Sequence, residues 1–380
     1  MTALEEANAR LKAWLTEHAL PVWGRRGRDH RGGFYEALAP DGAPLMDRTK
    51  RFRVHPRMAY AFAHAEALGW TDLGRSASDH AWSFTLEAGT DDGSLSGDGP
   101  FTGFVHCLTP EGGVEDGRRD TYDHAFVLLA AAWRLRVFGD EQAGEVAKRT
   151  LSFLDRLRQD DGSYLEGVPA ALPRRQNPHM HLFEAFLALH AAGVESALER
   201  ARAIHALFTE RFWDGAVLRE FFTQDWALDP QRGDLVEPGH MAEWCWLLDG
   251  YEEATGEDQS ALIMSLYEAA ERTGLGASGL LIDEAHTDGA PSRATRRLWV
   301  QGEYAKGTLV LARRGKDGMA DKAARLIGRF MDDYLGTPMP GGWYDQYDEN
   351  GDIVSEDMPA SSFYHIVSLA AEADRTVAAL

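Results

Sequence analysis

Apolar positions recur at helical spacing along almost the whole chain. The stripe Leu4, Ala7, Leu11, Trp14 and Leu15 predicts a helix over 4–18 that stops before Pro21. The same periodicity predicts helices over 55–68, 74–88, 122–138, 141–158, 177–192, 195–212, 238–254, 258–273, 298–313 and 318–335, and a last one from Ser361 to the C-terminus. Between pairs of helices stand turn signals such as Asp91-Asp92-Gly93, Asp160-Asp161-Gly162, Trp213-Asp214-Gly215 and Gly341-Gly342-Trp343-Tyr344. Gly32-Gly33-Phe34-Tyr35 and Pro40-Asp41-Gly42 read as a hairpin-like loop rather than helix.

Every second helix opens abruptly, and the openings lie near residues 56, 121, 178, 238, 299 and 361, a repeat of about 60 residues. Each unit holds two helices and a Gly/Asp/aromatic turn region. The last opening is followed by one helix only, and the helix over 4–18 is the one left unpaired. If those two pack together, six hairpins close into a ring without an orphan. The chain therefore reads as all-α, an (α/α)6 barrel of six helical hairpins forming one domain over 1–380. An open α-solenoid needs no pairing of its termini, and its end repeats should be more polar. Alanine, leucine and phenylalanine surround the openers on most faces, as expected for helices buried on both sides.

Composition narrows the function classes. The net charge of −21 does not suit a nucleic-acid groove or an anionic membrane surface. Cys107 and Cys245 form no CxxC pair, so neither a disulfide framework nor a structural zinc site is expected. The N-terminus shows no basic region followed by an apolar run, and no apolar stretch of about 18 residues occurs, so a cytoplasmic enzyme or binding protein is expected.

The candidate chemistry sits at the openers. In chain order they carry Arg57; Tyr122 with His124; Asn177 with His181 and Glu184; His240 with Glu243; Trp299 with Gln301 and Glu303; and Ser361, Ser362 and His365. In a closed ring these six N-termini meet at one end, where free backbone N–H groups suit hydroxyl-rich or anionic ligands. Each residue also has a bland reading: Asn177 as a helix cap, His124 as a bonded core residue, Trp299 as core, Glu184 and Glu303 as partners of buried arginines. Coincidence argues otherwise, since His55, His124, His179, His181, His240 and His365 all fall within about two turns of an opening. His181/Glu184 and His240/Glu243 show H-x-x-E, the reverse of the di-iron E-x-x-H spacing, and no H-E-x-x-H or phosphate loop occurs. Glycoside hydrolysis would use two of Glu184, Glu243 and Glu303 but leaves the histidines unexplained. Paired histidines suit proton shuttling on a carbon next to a carbonyl, with no metal required.

Together the openers RMAYAFAHA, YDHAFVLLAAAW, NPHMHLFEAF, EPGHMAEWCWLL, RLWVQGEYAKG and SSFYHIV resemble the N-acylglucosamine 2-epimerase superfamily, which includes mannose and sulfoquinovose isomerases and cellobiose 2-epimerases. The resemblance implies an (α/α)6 barrel performing enediol(ate) proton transfer on an aldose, with no cofactor and no metal. It implies that His240 and His365 are the acid/base pair. It further implies that Arg57, Tyr122, Asn177 and His181 contact the sugar, that Glu243 orients a histidine or a hydroxyl, and that Trp299 stacks on the ring. The expected partner is a monosaccharide, handled by a monomer or homodimer. A D-mannose/D-fructose isomerase is the first expectation, a 2-epimerase the second, and a non-catalytic carbohydrate-binding barrel the third.

Overall fold

The computed structural model describes residues 1–97 and 99–380. Helix α1 runs Ala3–Trp14 and continues through a π-turn, Leu15–Ala19, into Leu20–Arg25. The other helices are α2 (Val54–Ala67), α3 (Gly74–Ala88), α4 (Thr121–Phe138), α5 (Glu141–Asp155), α6 (Gln176–Ala191), α7 (Ser196–Leu207), α8 (Pro238–Thr255), α9 (Ser260–Gly274), α10 (Leu298–Arg313), α11 (Met319–Arg329) and α12 (Phe363–Ala379). Five-residue π-turns extend α7 and α11, over Phe208–Phe212 and Phe330–Tyr334. The sequence expectation for α1 was too short. Proline lacks an N–H and its ring strikes the carbonyl one turn back in a regular helix, and the i→i−5 turn just before Pro21 relieves both conflicts.

The even helices are apolar on nearly every face and buried along most of their length, whereas the odd ones carry an apolar stripe and a polar face. That contrast sorts them into an inner and an outer layer. Each even helix packs on the next, α2 on α4, α4 on α6, and so on to α12, which returns to α2. The outer α1 lies against α11 and α12. At this seam Trp23 of α1 stacks on Trp343 at 5.0 Å and on Phe363 of α12 at 6.0 Å. Asn8 and Lys12 both donate to Asp374 of α12. The ring is closed, as the helix count anticipated.

The loops hold an order that the all-α reading did not include. A two-residue strand precedes each inner helix and pairs antiparallel with a strand in the loop of the next repeat. Lys50–Arg51 pairs with Cys107–Leu108, Arg119–Asp120 with Gly167–Val168, and Arg174–Arg175 with Phe221–Phe222. Leu235–Val236 pairs with Glu284–His286, and Arg296–Arg297 with Gln346–Tyr347. The last, Met358–Pro359, returns to Ala37–Leu38, so the ladders also run round the ring. Two residues give too little periodicity to be read from sequence.

Three of the histidines near the openings pin these loops. His55 Nδ1 accepts the backbone N–H of Phe34 at 3.2 Å, His124 Nε2 that of Phe104 at 2.9 Å, and His179 Nε2 that of Tyr164 at 3.0 Å. Gln301 does the same for Leu281 in the fifth repeat, at 3.0 Å. An imidazole can accept only while neutral. Burial holds His124 and His179 down to about 4, outweighing the backbone carbonyls that receive their Nδ1–H groups. The coincidence of histidines with openings therefore has two sources, and only His181, His240 and His365 face a cavity.

The latch gives a stability prediction. Between pH 6.5 and about 4 the unfolded chain protonates His179 while the fold does not, so its contribution is lost as pH falls through that window. The loss is on the order of 3 kcal/mol for this one residue. His179→Leu should cost about 2–3 kcal/mol at pH 7 in urea unfolding, because Tyr164 N–H and Arg175 C=O lose their partner. His179→Gln copies the fifth repeat, and should retain most of the stability while flattening its dependence on pH. Equal losses for the two variants would contradict the latch.

Candidate active site

The N-termini of the inner helices converge on a cavity of about 390 Å³. All eight residues singled out from the sequence line it: Arg57, Tyr122, Asn177, His181, His240, Glu243, Trp299 and His365. Arg51, Arg53, Arg293 and Arg297 join them, with Glu237, Asp345, Ser361 and Ser362. Pro238 opens α8 and brings His240 into its first turn, with Glu243 one turn further in. Gly239 has a role the sequence did not reveal, because a Cβ there would come within 2.8 Å of the Trp299 ring. Without it Trp299 settles between the two histidines, 5.3 Å from His240 and 5.7 Å from His365.

His240 is held by a residue outside the helices. Its Nδ1 donates to the Glu220 carboxylate at 3.1 Å, and Glu220 also accepts from Gln176 Nε2 at 2.8 Å. The Nε2 edge meets the Asn177 side-chain amide at 3.3 Å and Glu237 at 3.8 Å. Burial opposes the charged ring, but Glu220 and Glu237 outweigh it and raise His240 to about 10. Glu243 forms no hydrogen bond with His240, and of the roles the resemblance implies for it, orienting a histidine or a hydroxyl, the contact with this histidine is not made. Its Oε1 has no partner among the described residues, and burial, reinforced by Glu303, drives its carboxyl well above the ordinary range. Glu243 is thus a neutral acid at the cavity floor.

His365 is in the other protonation state. Its Nδ1 donates to Glu303 Oε1 at 2.7 Å, which leaves Nε2 for the cavity. Burial lowers it to about 4 despite that bond, with Arg57 and Lys306 adding to the effect. The carboxyl of Glu303 is pushed up by burial, yet Lys306 and His365 bring it down to about 2. His181 is likewise held at about 4 by burial, against its 3.0 Å bond to Glu184. The partners expected for Glu303 and Glu184 were arginines. They are Lys306 and His365 for Glu303, and His181 and Tyr364 for Glu184.

Arg57 donates to Tyr122 Oη at 2.7 Å, lies 3.9 Å above the Phe126 ring and meets no carboxylate in an ion pair among the described residues. The rim arginines are already compensated. Arg51 pairs with Glu36, Arg293 with Glu284 at 3.4 Å, and Arg297 with Asp283 at 3.3 Å. A groove of about 520 Å³ opens beside the cavity past Tyr122 and Asn177. There His106 donates to Asp123 at 2.6 Å.

Among the described residues two side-chain groups are close enough to share a cation: Glu220 with Glu237 and His240, and Glu243 with Glu303 and His365. The Lys306 ammonium stands 2.7 Å from Glu303 beside the second of them.

Glu220 was missed because it precedes the opener by eighteen positions in a turn region. A signal for it does exist. Phe34, Phe104, Tyr164, Leu218, Leu281 and Trp343 are buried loop residues, and two positions after each comes a polar one: Glu36, His106, Glu166, Glu220, Asp283 and Asp345.

Comparison with known proteins agrees with this architecture. The family model for N-acylglucosamine 2-epimerase (GlcNAc 2-epimerase) matches residues 33–369. A mannose-6-phosphate isomerase of Rhizobium meliloti (strain 1021) is 34% identical, covering 94% of each chain. A D-mannose isomerase of Thermobifida fusca is 29% identical, covering 90% of this chain and 88% of its own. The solved cellobiose 2-epimerase of Spirochaeta thermophila DSM 6192 superposes with a TM-score of 0.86 at 24% identity, over 99% of this chain and 97% of that one. No described helix is long and apolar enough to cross a membrane. With its family model matched from the first loop to the last helix, the chain belongs to the N-acylglucosamine 2-epimerase family of sugar isomerases and epimerases.

Proposed function

We propose that this protein is an aldose–ketose isomerase acting on D-mannose or a closely related aldose and giving D-fructose. The observation that carries the reading is the pair of imidazoles flanking Trp299 in different protonation states, His365 neutral and His240 protonated. Environments that push two titratable groups apart assign the base and the acid. In this reading Trp299 supports the sugar face, while Arg57, Tyr122, Asn177 and His181 hold its hydroxyls. His365 Nε2 takes the proton from C2 of the open-chain aldose as the His240 imidazolium gives one to O1. The resulting 1,2-enediol is protonated at C1 by the His365 imidazolium, whose proton exchanges with water during the lifetime of the enediol, and O2 gives its proton to His240. One C–H bond is broken and one made, and both histidines end as they began. Glu243, kept neutral, donates to a sugar oxygen and stabilises developing negative charge.

The isomerase outcome draws on the mannose-6-phosphate isomerase at 34% identity and the D-mannose isomerase at 29%. The second reading is a 2-epimerase, which the same charge asymmetry serves if the proton returns to the other face of C2. Binding without turnover leaves the split protonation unexplained.

Incubation with D-mannose in D₂O should yield fructose carrying deuterium at C1, followed by NMR. Glucose labelled at C2 in its place would establish the epimerase. Turnover of mannose 6-phosphate alone would move the substrate to the phosphorylated sugar, with Arg51, Arg293 and Arg297 as the cations at hand. His240→Ala and His365→Ala should each lower kcat by about 10²–10⁴-fold with the fold intact by circular dichroism; an active double variant would remove both from the mechanism.

Glu220→Gln isolates the acid. His240 must be protonated to act, so activity is lost as pH rises through its pKa. In the wild type that limb lies near 10, and kcat/KM should be level from about pH 6 to 9. In Glu220→Gln the limb should descend by two units or more into the neutral range. An unchanged alkaline limb would show that His240 does not supply the proton.

A further inference from the structure

His240 and His365 rest on the same kind of support, a buried carboxylate accepting from Nδ1, and yet they carry different charges. The cause lies behind the carboxylates. Glu220 is steadied by the neutral amide of Gln176, and no lysine or arginine pairs with it among the described residues. Glu303 is shared. While Oε1 accepts from His365, Oε2 accepts from Lys306 Nζ at 2.7 Å and from Trp246 Nε1 at 3.0 Å. Lys306 is completely buried, stands 3.2 Å from Ser368 Oγ and 4.0 Å over the Trp246 ring, and does not line the catalytic cavity. A lysine so placed is costly to bury and cannot touch a substrate.

We infer that Lys306 is the positioning residue that keeps the cavity-facing Nε2 of His365 free of a proton, by neutralising the carboxylate that would otherwise hold His365 as an imidazolium. The other groups around His365 agree with this division. Glu303 and Lys306 come from α10, Arg57 from α2 and the neutral Glu243 from α8, while Tyr364 of α12 leads to Glu184 and His181 of α6. Arg57 and Lys306 oppose a charged imidazole, and Glu303 favours one.

Without the lysine charge the Glu303–His365 pair takes up one proton. If the ring receives it, His365 becomes an imidazolium. If Glu303 receives it, the carboxylic O–H donates to Nδ1 and the ring's own hydrogen moves to Nε2. In both cases the lone pair that takes the C2 proton is gone. His240, whose carboxylate is unshared, shows the limit of the first case.

The inference rests on His365 being the base, so its test reads the protonation state directly. In the wild type at pH 7, ¹⁵N NMR of the histidine side chains should show His365 neutral with the hydrogen on Nδ1. In Lys306→Met, a substitution of similar length, Nε2 should carry the hydrogen at pH 7. There kcat/KM should fall by about 10- to 1000-fold at pH 7 and recover above pH 9, with KM within about twofold. An imidazolium at His365 in the wild type overturns the inference even if the variant does not fold. So does a loss of activity equal at all pH values, or an unprotonated Nε2 in Lys306→Met. If no sugar is turned over but the Nε2 signal moves as expected, the role of Lys306 stands and the substrate reading fails.

Discussion

The barrel depends on one loop residue per repeat that serves two neighbouring helices. Glu36, His106, Glu166, Glu220 and Asp345 each use the backbone carbonyl to accept an N–H at the start of the preceding inner helix, from Ala360, Phe52, Thr121, Gln176 and Leu298 respectively. Their side chains turn to the following helix. Glu36 and Glu166 accept the backbone N–H of Arg51 and Arg175, as Asp283 does that of Arg297; His106 reaches Asp123, and Asp345 reaches Ser362. Inner-helix N–H groups at this end have no intrahelical acceptor. The girdle supplies acceptors and ties each repeat to the next, and the bond from Ala360 to Glu36 closes it across the seam.

Seen within the girdle, Glu220 is the fourth copy of a structural device with an altered partner. Its carbonyl still accepts from Gln176, but its side chain reaches His240 instead of an arginine or a backbone group. The acid of the proposed pair is thus attached to the part of the fold that fixes helix positions. The base is attached differently. Glu303 lies within α10, and its bonds to Lys306 and Trp246 run deeper along the barrel axis. One histidine is supported from the loop layer and the other from the helix interior, which is why similar side chains acquire unlike charges.

The helix-level fold was legible because burial on all sides leaves a strong signature, as in YDHAFVLLAAAW, and because a repeat near 60 residues constrains the count. Arg57, Tyr122, Asn177, His181, His240, Glu243, Trp299 and His365 reach one cavity because each stands at the start of an inner helix, a position the repeat identifies. What could not be read was pairing across repeats. The two-residue ladders are below any periodicity, and Glu220 meets His240 only through the ring. Spacing misled once: His55, His124 and His179 mimic site residues because the loop latch needs an acceptor at the same helical position. His240 and Glu243 do share a helix face, but without bonding, since a partner from the loop is better placed.

The ordinary state of an imidazole in this fold is neutral. His124, His179, His181 and His365 are all held near 4 by burial, and the positive end of a helix dipole further disfavours a cation in the first turn. The same dipoles favour the negative charge that develops on an enediolate. In the proposed reaction six converging N-termini therefore favour a base and a stabilised intermediate, but they work against a proton donor. Among the histidines of the inner helices His240 is the exception, near the start of α8, and Glu220 and Glu237 are what make it one. The demanding part of this site is the acid rather than the base. A barrel of this form that lost its Glu220 equivalent would retain a polyol cavity with neutral histidines, suited to holding a sugar and poorly suited to moving its protons.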